Sequence, residues 1–216
     1  MQKVLITSIP FGEKDKEPIE ILESLSVEYE INPLGRKLNE HELASMIDDC
    51  TILIAGTEPI TRKVMENASN LKLISRIGIG LDNVDLKAAD ELGIKVSYTP
   101  DAPAPAVSEL TIGLMISLIR SIQIANLNMH RGNWNRFSGR RFKDLTIGII
   151  GLGRIGKRVL DHLSGFKCKE ILVNDLIKDH DIDFRSNIRW TEKETIYANS
   201  DLISLHIPLN KLTHNL

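Results

Sequence analysis

Short apolar runs alternate with longer amphipathic stretches along the whole chain. KVLITS (from Lys3), VEYEI (from Val27), TILIA (from Thr51), LKLIS (from Leu71) and IKVSY (from Ile94) are rich in β-branched residues and predict strands. Between them, EPIEILESL, NEHELASMIDD, TRKVMENAS and DLKAADELG carry apolar residues at helical spacing. Thr61 and Asp85 are expected N-caps, and Gly93 an expected helix stop. Such alternation predicts βαβ units and a mostly parallel sheet.

The proline-rich segment TPDAPAPAV, Thr99–Val107, reads as a connector. SELTIGLMISLIRSIQIANLNMH follows, with apolar residues on nearly all sides of its first half. That pattern predicts a helix buried all round, at a domain or subunit interface. Arg131–Arg141 (RGNWNRFSGRR) reads as a polar loop. A second strand–helix series then runs through TIGIIG, RIGKRVLDHL, EILVND, a short strand near IRW, TEKETIYANS and DLISLHI. The expected split therefore lies near Tyr98–Pro100, giving domains 1–98 and 99–216.

Composition narrows the function. The 216 residues, 42% apolar and 26% charged, suffice for one large domain or two small ones. A net charge of −2 with both signs mixed along the chain argues against nucleic acid or an anionic membrane as the main partner. Cys50 and Cys168 lack metal-like spacing and fit a reducing, cytoplasmic setting. The N-terminal MQKVLITSIPFGEKDKE reads as a first strand rather than a signal peptide. The apolar stretch near Leu110–Ile119 is too short to span a bilayer.

GIIGLGRIG, Gly148–Gly156, sits where a buried strand gives way to a helical pattern of Ile155, Val159, Leu160 and Leu163. In a dinucleotide-binding turn, Gly151 permits the tight bend and Gly153 lets a pyrophosphate approach the backbone. Gly156 lets helix and strand pack closely, and the helix N-terminus faces the anion. EILVND ends at Asp175, nineteen residues after Gly156, where a carboxylate accepts hydrogen bonds from the adenosine ribose and repels a 2′-phosphate. NAD is therefore expected over NADP. A glycine-rich βα turn with an unrelated Asp is the alternative.

LKLISRIGIGLDNVDLKAADELGIKVSYTPDAPAPAVSELTIGLMISLIR, followed by GNW and TIGIIGLGRIGKRV, resembles the D-isomer-specific 2-hydroxyacid dehydrogenases, and within them the D-3-phosphoglycerate dehydrogenase branch. The resemblance implies an α/β fold of two similar domains. One is a flavodoxin-like substrate-binding (catalytic) domain, whose N-terminal part is residues 1–98. The other is a Rossmann NAD-binding domain with a parallel sheet over 99–216, incomplete in these residues. It implies that Arg76, Ile77, Gly78, Ile79 and Gly80 form the loop whose amides hold the substrate carboxylate, with Ile79 near the nicotinamide. It places Val107 beside the nicotinamide, Arg154 and Ile155 at the pyrophosphate, and Ile207 against the cofactor. It also implies a homodimer, formed through the long helix and the Arg131–Arg141 loop. Read without it, Gly78 and Gly80 are strand-end punctuation, Asp82 and Asn83 are turn and cap residues, and Val107 belongs to the core. His206–Pro208 is then a strand terminus.

The resemblance further implies a catalytic Arg in an ARGG segment, then an acid, then a His in a Pro-His segment, all after LHIPL. None of the three occurs in these residues, so a C-terminally incomplete chain is expected. His41, His130 and His162 fall in helical patterns, His180 in a charged loop and His214 in the tail. His206 is the histidine nearest a cofactor cleft, without an implied proton-transfer role. For a phosphorylated substrate, Arg62, Lys63 and Arg76 are the available cations. Two other readings stand beside the dehydrogenase: a non-catalytic NAD-binding or interaction protein, and another enzyme of twin α/β domains.

Overall fold

The computed structural model describes residues 2–179 and 187–216. His180 lies outside the described residues. The chain forms two compact units, Met1–Ala102 and Pro103–Leu216.

The first unit carries β1 (Lys3–Ile6), β2 (Glu28–Ile31), β3 (Ile52–Ala55), β4 (Leu73–Arg76) and β5 (Lys95–Tyr98). They form one parallel sheet in the order β2-β1-β3-β4-β5, which is the flavodoxin-like order. The crossovers are α1 (Glu17–Ser24), α2 (Glu40–Met46), α3 (Arg62–Glu66) and α4 (Leu86–Glu91). Alternation along the strands sends Leu5, Leu53 and Ile74 into one core with Leu43, Ile47, Val64 and Ala88. It sends Val4 and Ile6 to the other face, against Leu22.

The helix ends follow from side-chain chemistry. Thr61 Oγ1 accepts from the Val64 N–H at 3.4 Å, and Asp85 Oδ1 from the Ala88 N–H at 2.9 Å. Gly93, at φ +69°, stops α4 in the left-handed conformation that glycine adopts without strain. A cap not anticipated from the sequence starts α2. Asn39 Oδ1 accepts the Glu42 N–H, and Glu42 Oε2 accepts the Asn39 N–H, both at 2.9 Å. Glu42 also accepts from Arg36 at 2.6 Å. The Arg36 hydrogen bond first, and the Asn39 backbone second, lower the Glu42 carboxyl from 4.5 to about 2.

Because the folded value is depressed, the stabilising contribution of Glu42 is present above the unfolded value and lost as pH falls through the folded one. Glu42→Gln is expected to be less stable than the parent at neutral pH. The difference should hold above pH 4.5 and close as pH falls toward about 2. Urea unfolding of both proteins across a pH series reads this directly.

The break between units falls four residues after the split read from the sequence. Thr99 explains the shift: its N–H donates to Gly78 O at 3.1 Å and its hydroxyl accepts the Gly78 N–H at 2.8 Å, tying it to the first unit.

In the second unit, β6 (Thr146–Ile150), β7 (Glu170–Asn174), β8 (Ile188–Trp190) and β9 (Leu202–Leu205) form a parallel sheet in the order β8-β7-β6-β9. Counted within the unit this is 3-2-1-4, the first four strands of the Rossmann order. The helices are α5 (Ala104–Ile119), α6 (Ile122–His130), α7 (Arg154–Ser164) and α8 (Lys193–Asn199). Every residue of β6 is buried, with Ile147 and Ile149 packed among Met115, Val159 and Leu163. β9 forms an edge of the sheet, with Ile203 and Leu205 exposed.

One expectation about the long helix is corrected. It is not continuous: α5 and α6 meet at a 68° bend, with Ser121 at φ +54°. The Arg140 N–H donates to the Ile119 carbonyl at 3.2 Å, so the returning loop occupies an acceptor at the end of α5. Within this single chain α5 is covered on one side, which leaves the other to the subunit interface expected for it. Ala104, Ser108 and Met115 are buried, whereas Leu110, Leu114 and Leu118 are 61%, 56% and 73% exposed. The helix also begins inside the proline-rich connector, whose Pro105 sits in the first turn where its missing N–H costs nothing. Among the described residues, no single helix is long and apolar enough to cross a membrane.

Candidate functional site

Two glycines of the β6–α7 turn answer separate backbone constraints, and the third stands open. Gly151 lies at φ +94°, and a Cβ there would overlap the His206 carbonyl oxygen and approach its carbon to 2.7 Å. A Cβ on Gly156 would overlap the Gly151 carbonyl oxygen, so the first turn of α7 packs directly on the strand end. Gly153 is the N-cap of α7, and the place of its missing Cβ has no atom within 4 Å. The turn is thus closed beneath and open above.

Asp175 follows β7 and reaches back to this turn. Its Oδ2 accepts the Leu152 N–H at 2.5 Å, and its Oδ1 accepts the Leu176 N–H at 2.6 Å. The Gly151 N–H donates to Asn174 O at 2.8 Å. Each carboxylate oxygen, having accepted one bond, keeps capacity for another donor. Gly151, Gly153, Asp175, Lys193, His206 and Ile207 share the lining of a cavity of about 460 Å³. It lies at the carboxyl ends of β6, β7 and β9, beside the point where the strand order reverses, as ligand sites of open α/β sheets do.

Ile207 packs against the cluster of Ile150, Leu172 and Ile196. His206 Nε2 lies 2.9 Å from Ser204 Oγ, and burial pushes the imidazole below its ordinary pKa of 6.5. Arg154 and Ile155 open α7, Arg154 exposed and Ile155 packed at the margin of the core. Val107 is not a core residue. It is 36% exposed in the first turn of α5 and does not line this cavity. Lys193 carries no motif and was not anticipated from the sequence.

In the first unit, RIGIG follows β4. Gly78 lies at φ +146°, and a Cβ there would overlap Arg76 Nη1 and come within 2.7 Å of Cζ. The glycine makes room for the guanidinium to fold beneath the loop. Arg76 is only 8% exposed and donates to the Ile77 carbonyl and, at 3.4 Å, to Asn83 Oδ1. The Gly78 N–H is used by Thr99, while the N–H groups of Ile79 and Gly80 have no partner among the described residues. Of the other candidate cations, Arg62 is paired with Glu91 and Glu66, and Lys63 is exposed on α3. Asn83 does not cap α4, which Asp85 does; its side chain turns inward instead.

The family model described as D-isomer specific 2-hydroxyacid dehydrogenase, catalytic domain, matches residues 4–205. The chain belongs to this family. It is 34% identical over 205 residues to the hydroxypyruvate reductase of Thermotoga maritima, covering 94% of this chain and 65% of that protein. It is 36% identical over 220 residues to the D-3-phosphoglycerate dehydrogenase of Methanocaldococcus jannaschii, covering 100% and 40% respectively. Among solved structures it is similar to the NAD⁺-bound 3-phosphoglycerate dehydrogenase of Entamoeba histolytica. The TM-score is 0.78 at 29% identity, over 98% of this chain and 64% of that one. The chain therefore spans less than two thirds of the length of each of these family members.

Proposed function

We propose that this chain contributes the cofactor site and the substrate-carboxylate loop of an NAD-dependent dehydrogenase of D-2-hydroxy acids. D-3-phosphoglycerate is the candidate substrate drawn from the sequence resemblance, and the cytoplasm the setting. Residues 1–98 act as the N-terminal part of the substrate domain, and 99–216 as the NAD-binding domain. The reading rests above all on one observation: the Asp175 carboxylate is hydrogen-bonded to the glycine turn that also presents an open Gly153.

NAD supplies the hydride acceptor. Gly151, Gly153, Arg154, Ile155 and Gly156 hold its pyrophosphate through the backbone at the start of α7. Asp175 accepts the ribose hydroxyls, and Val107 and Ile207 flank the cofactor. Arg76–Gly80 takes the substrate carboxylate, with the Ile79 and Gly80 N–H groups as donors. No residue of the chain is assigned the hydroxyl proton. His206 shares its Nε2 with Ser204 and keeps a positional role.

We assign a homodimer to the exposed row Leu110, Leu114 and Leu118, continued by Ile122 and Leu127 on α6. Sedimentation equilibrium is expected to show a dimer, and a monomer at all concentrations would oppose it.

The activity test offers the purified protein NAD with D-3-phosphoglycerate, D-glycerate and D-lactate, and with L-lactate as control. NADH binding is titrated in parallel: saturable binding with no NAD reduction, or reduction confined to D-isomers, supports the reading, and no NADH binding opposes it. Reduction by the L-isomer opposes it.

A further inference from the structure

Besides the Arg76–Ile77 bond within it, the RIGIG loop is held from outside by Thr99 and Asn83. Three segments meet at the carboxyl ends of β1, β3 and β4: Thr7, Gly56 to Glu58, and Gly78 to Asn83. Asn83 joins the last two. Its Nδ2 donates to Gly56 O at 3.3 Å and to Glu58 O at 2.7 Å, while its Oδ1 accepts from Arg76 Nε at 3.4 Å. Its own carbonyl accepts the Ile60 N–H at 2.8 Å. Both amide hydrogens and the oxygen of the side chain are therefore engaged.

The other side of this clamp is fixed as well. Glu58 is 1% exposed, and its Oε1 accepts the Gly56 N–H at 3.0 Å and the hydroxyl of buried Thr7. The arrangement leaves Arg76 almost fully buried, its guanidinium bonded to the Ile77 carbonyl and the Asn83 side chain rather than to a carboxylate. A buried charge without a counter-charge is costly. The unpartnered N–H groups of Ile79 and Gly80 lie on the same short loop. A bound anion can take both donors and add to the charge balance that the buried Glu58 carboxylate of the same clamp begins.

We propose that Asn83 is a positioning residue for substrate carboxylate binding. It fixes Arg76 under the loop and sets the Ile79 and Gly80 amides as an anion-binding pair. This rests on reading the loop as the substrate-carboxylate site.

The test uses ¹⁵N-labelled protein titrated with glycolate, the smallest 2-hydroxy acid, with a parallel NADH titration. In the unsubstituted protein, the Ile79 and Gly80 amide resonances are expected to shift with glycolate. In Asn83→Ala, glycolate affinity is expected to fall about tenfold while NADH affinity stays unchanged. A merely structural role would lower the Tm without this split. If Asn83→Ala does not fold, Asn83→Ser, which keeps one donor, is read in its place and should give a smaller loss. Unchanged glycolate affinity in the folded variant, or no response at Ile79 and Gly80 in the parent, overturns the proposal. Loss of NADH binding in the parent instead overturns the dehydrogenase reading.

Discussion

Gly156→Ala is expected to abolish measurable NADH binding and to destabilise the second unit by about 3 kcal/mol, the upper range for overpacking. The clash is with the Gly151 carbonyl oxygen, a backbone atom that cannot rotate away. Relief requires α7 to move off the end of β6. That movement pulls the turn from the Asp175 carboxylate, which holds it through Leu152. Gly153→Ala is the informative control, because its Cβ meets nothing within 4 Å. It should fold normally and lose NADH affinity through obstruction of the cofactor alone. Thermal unfolding and NADH fluorescence titration of both variants separate the two effects. A Gly156→Ala protein with parental Tm and affinity would contradict the packing described here.

The second large effect is on cofactor choice. Asp175→Ala is expected to weaken NADH binding roughly thirtyfold, for a loss of about 2 kcal/mol in hydrogen bonds to a charged group. It should also relax discrimination against NADPH, since the carboxylate that repels a 2′-phosphate is gone. Asp175→Asn divides the two roles: it keeps an acceptor for the Leu152 N–H and removes the charge. It should restore the turn and still bind NADPH better than the parent does. Parental affinities for both cofactors in Asp175→Ala would remove this residue from the site.

Much of the fold is readable from local chemistry. The strands at Lys3, Thr51 and Thr146 are short β-branched runs. Thr61, Asp85 and Gly93 announce helix ends because caps and stops act within a few residues. The break between α5 and α6 is not readable, for neither Gly nor Pro marks it. It coincides with a backbone bond from Arg140, twenty-one positions along the chain from Ile119. The sequence leaves open which sides of α5 this chain itself covers, for a related reason. An apolar residue on every side shows what a helix can bury, not what this chain provides to cover it.

The candidate site divides in the same way. The glycine turn is legible because Gly151 and Gly156 are required by the backbone itself, and Asp175 because the strand before it fixes its distance along the chain. Asn83 reads as a turn residue, since the carbonyls it binds lie 27 and 25 positions earlier. Lys193 reaches the cavity only because α8 begins beside the ends of β6 and β7, which nothing local to it declares.

The most direct measurement is a calorimetric titration of the unsubstituted protein with NADH and, separately, NADPH. The expected result is saturable binding of one NADH per chain, with NADPH roughly tenfold weaker or worse. No saturable NADH binding, or equal affinity for the two, would contradict a cofactor site built from the glycine turn and Asp175.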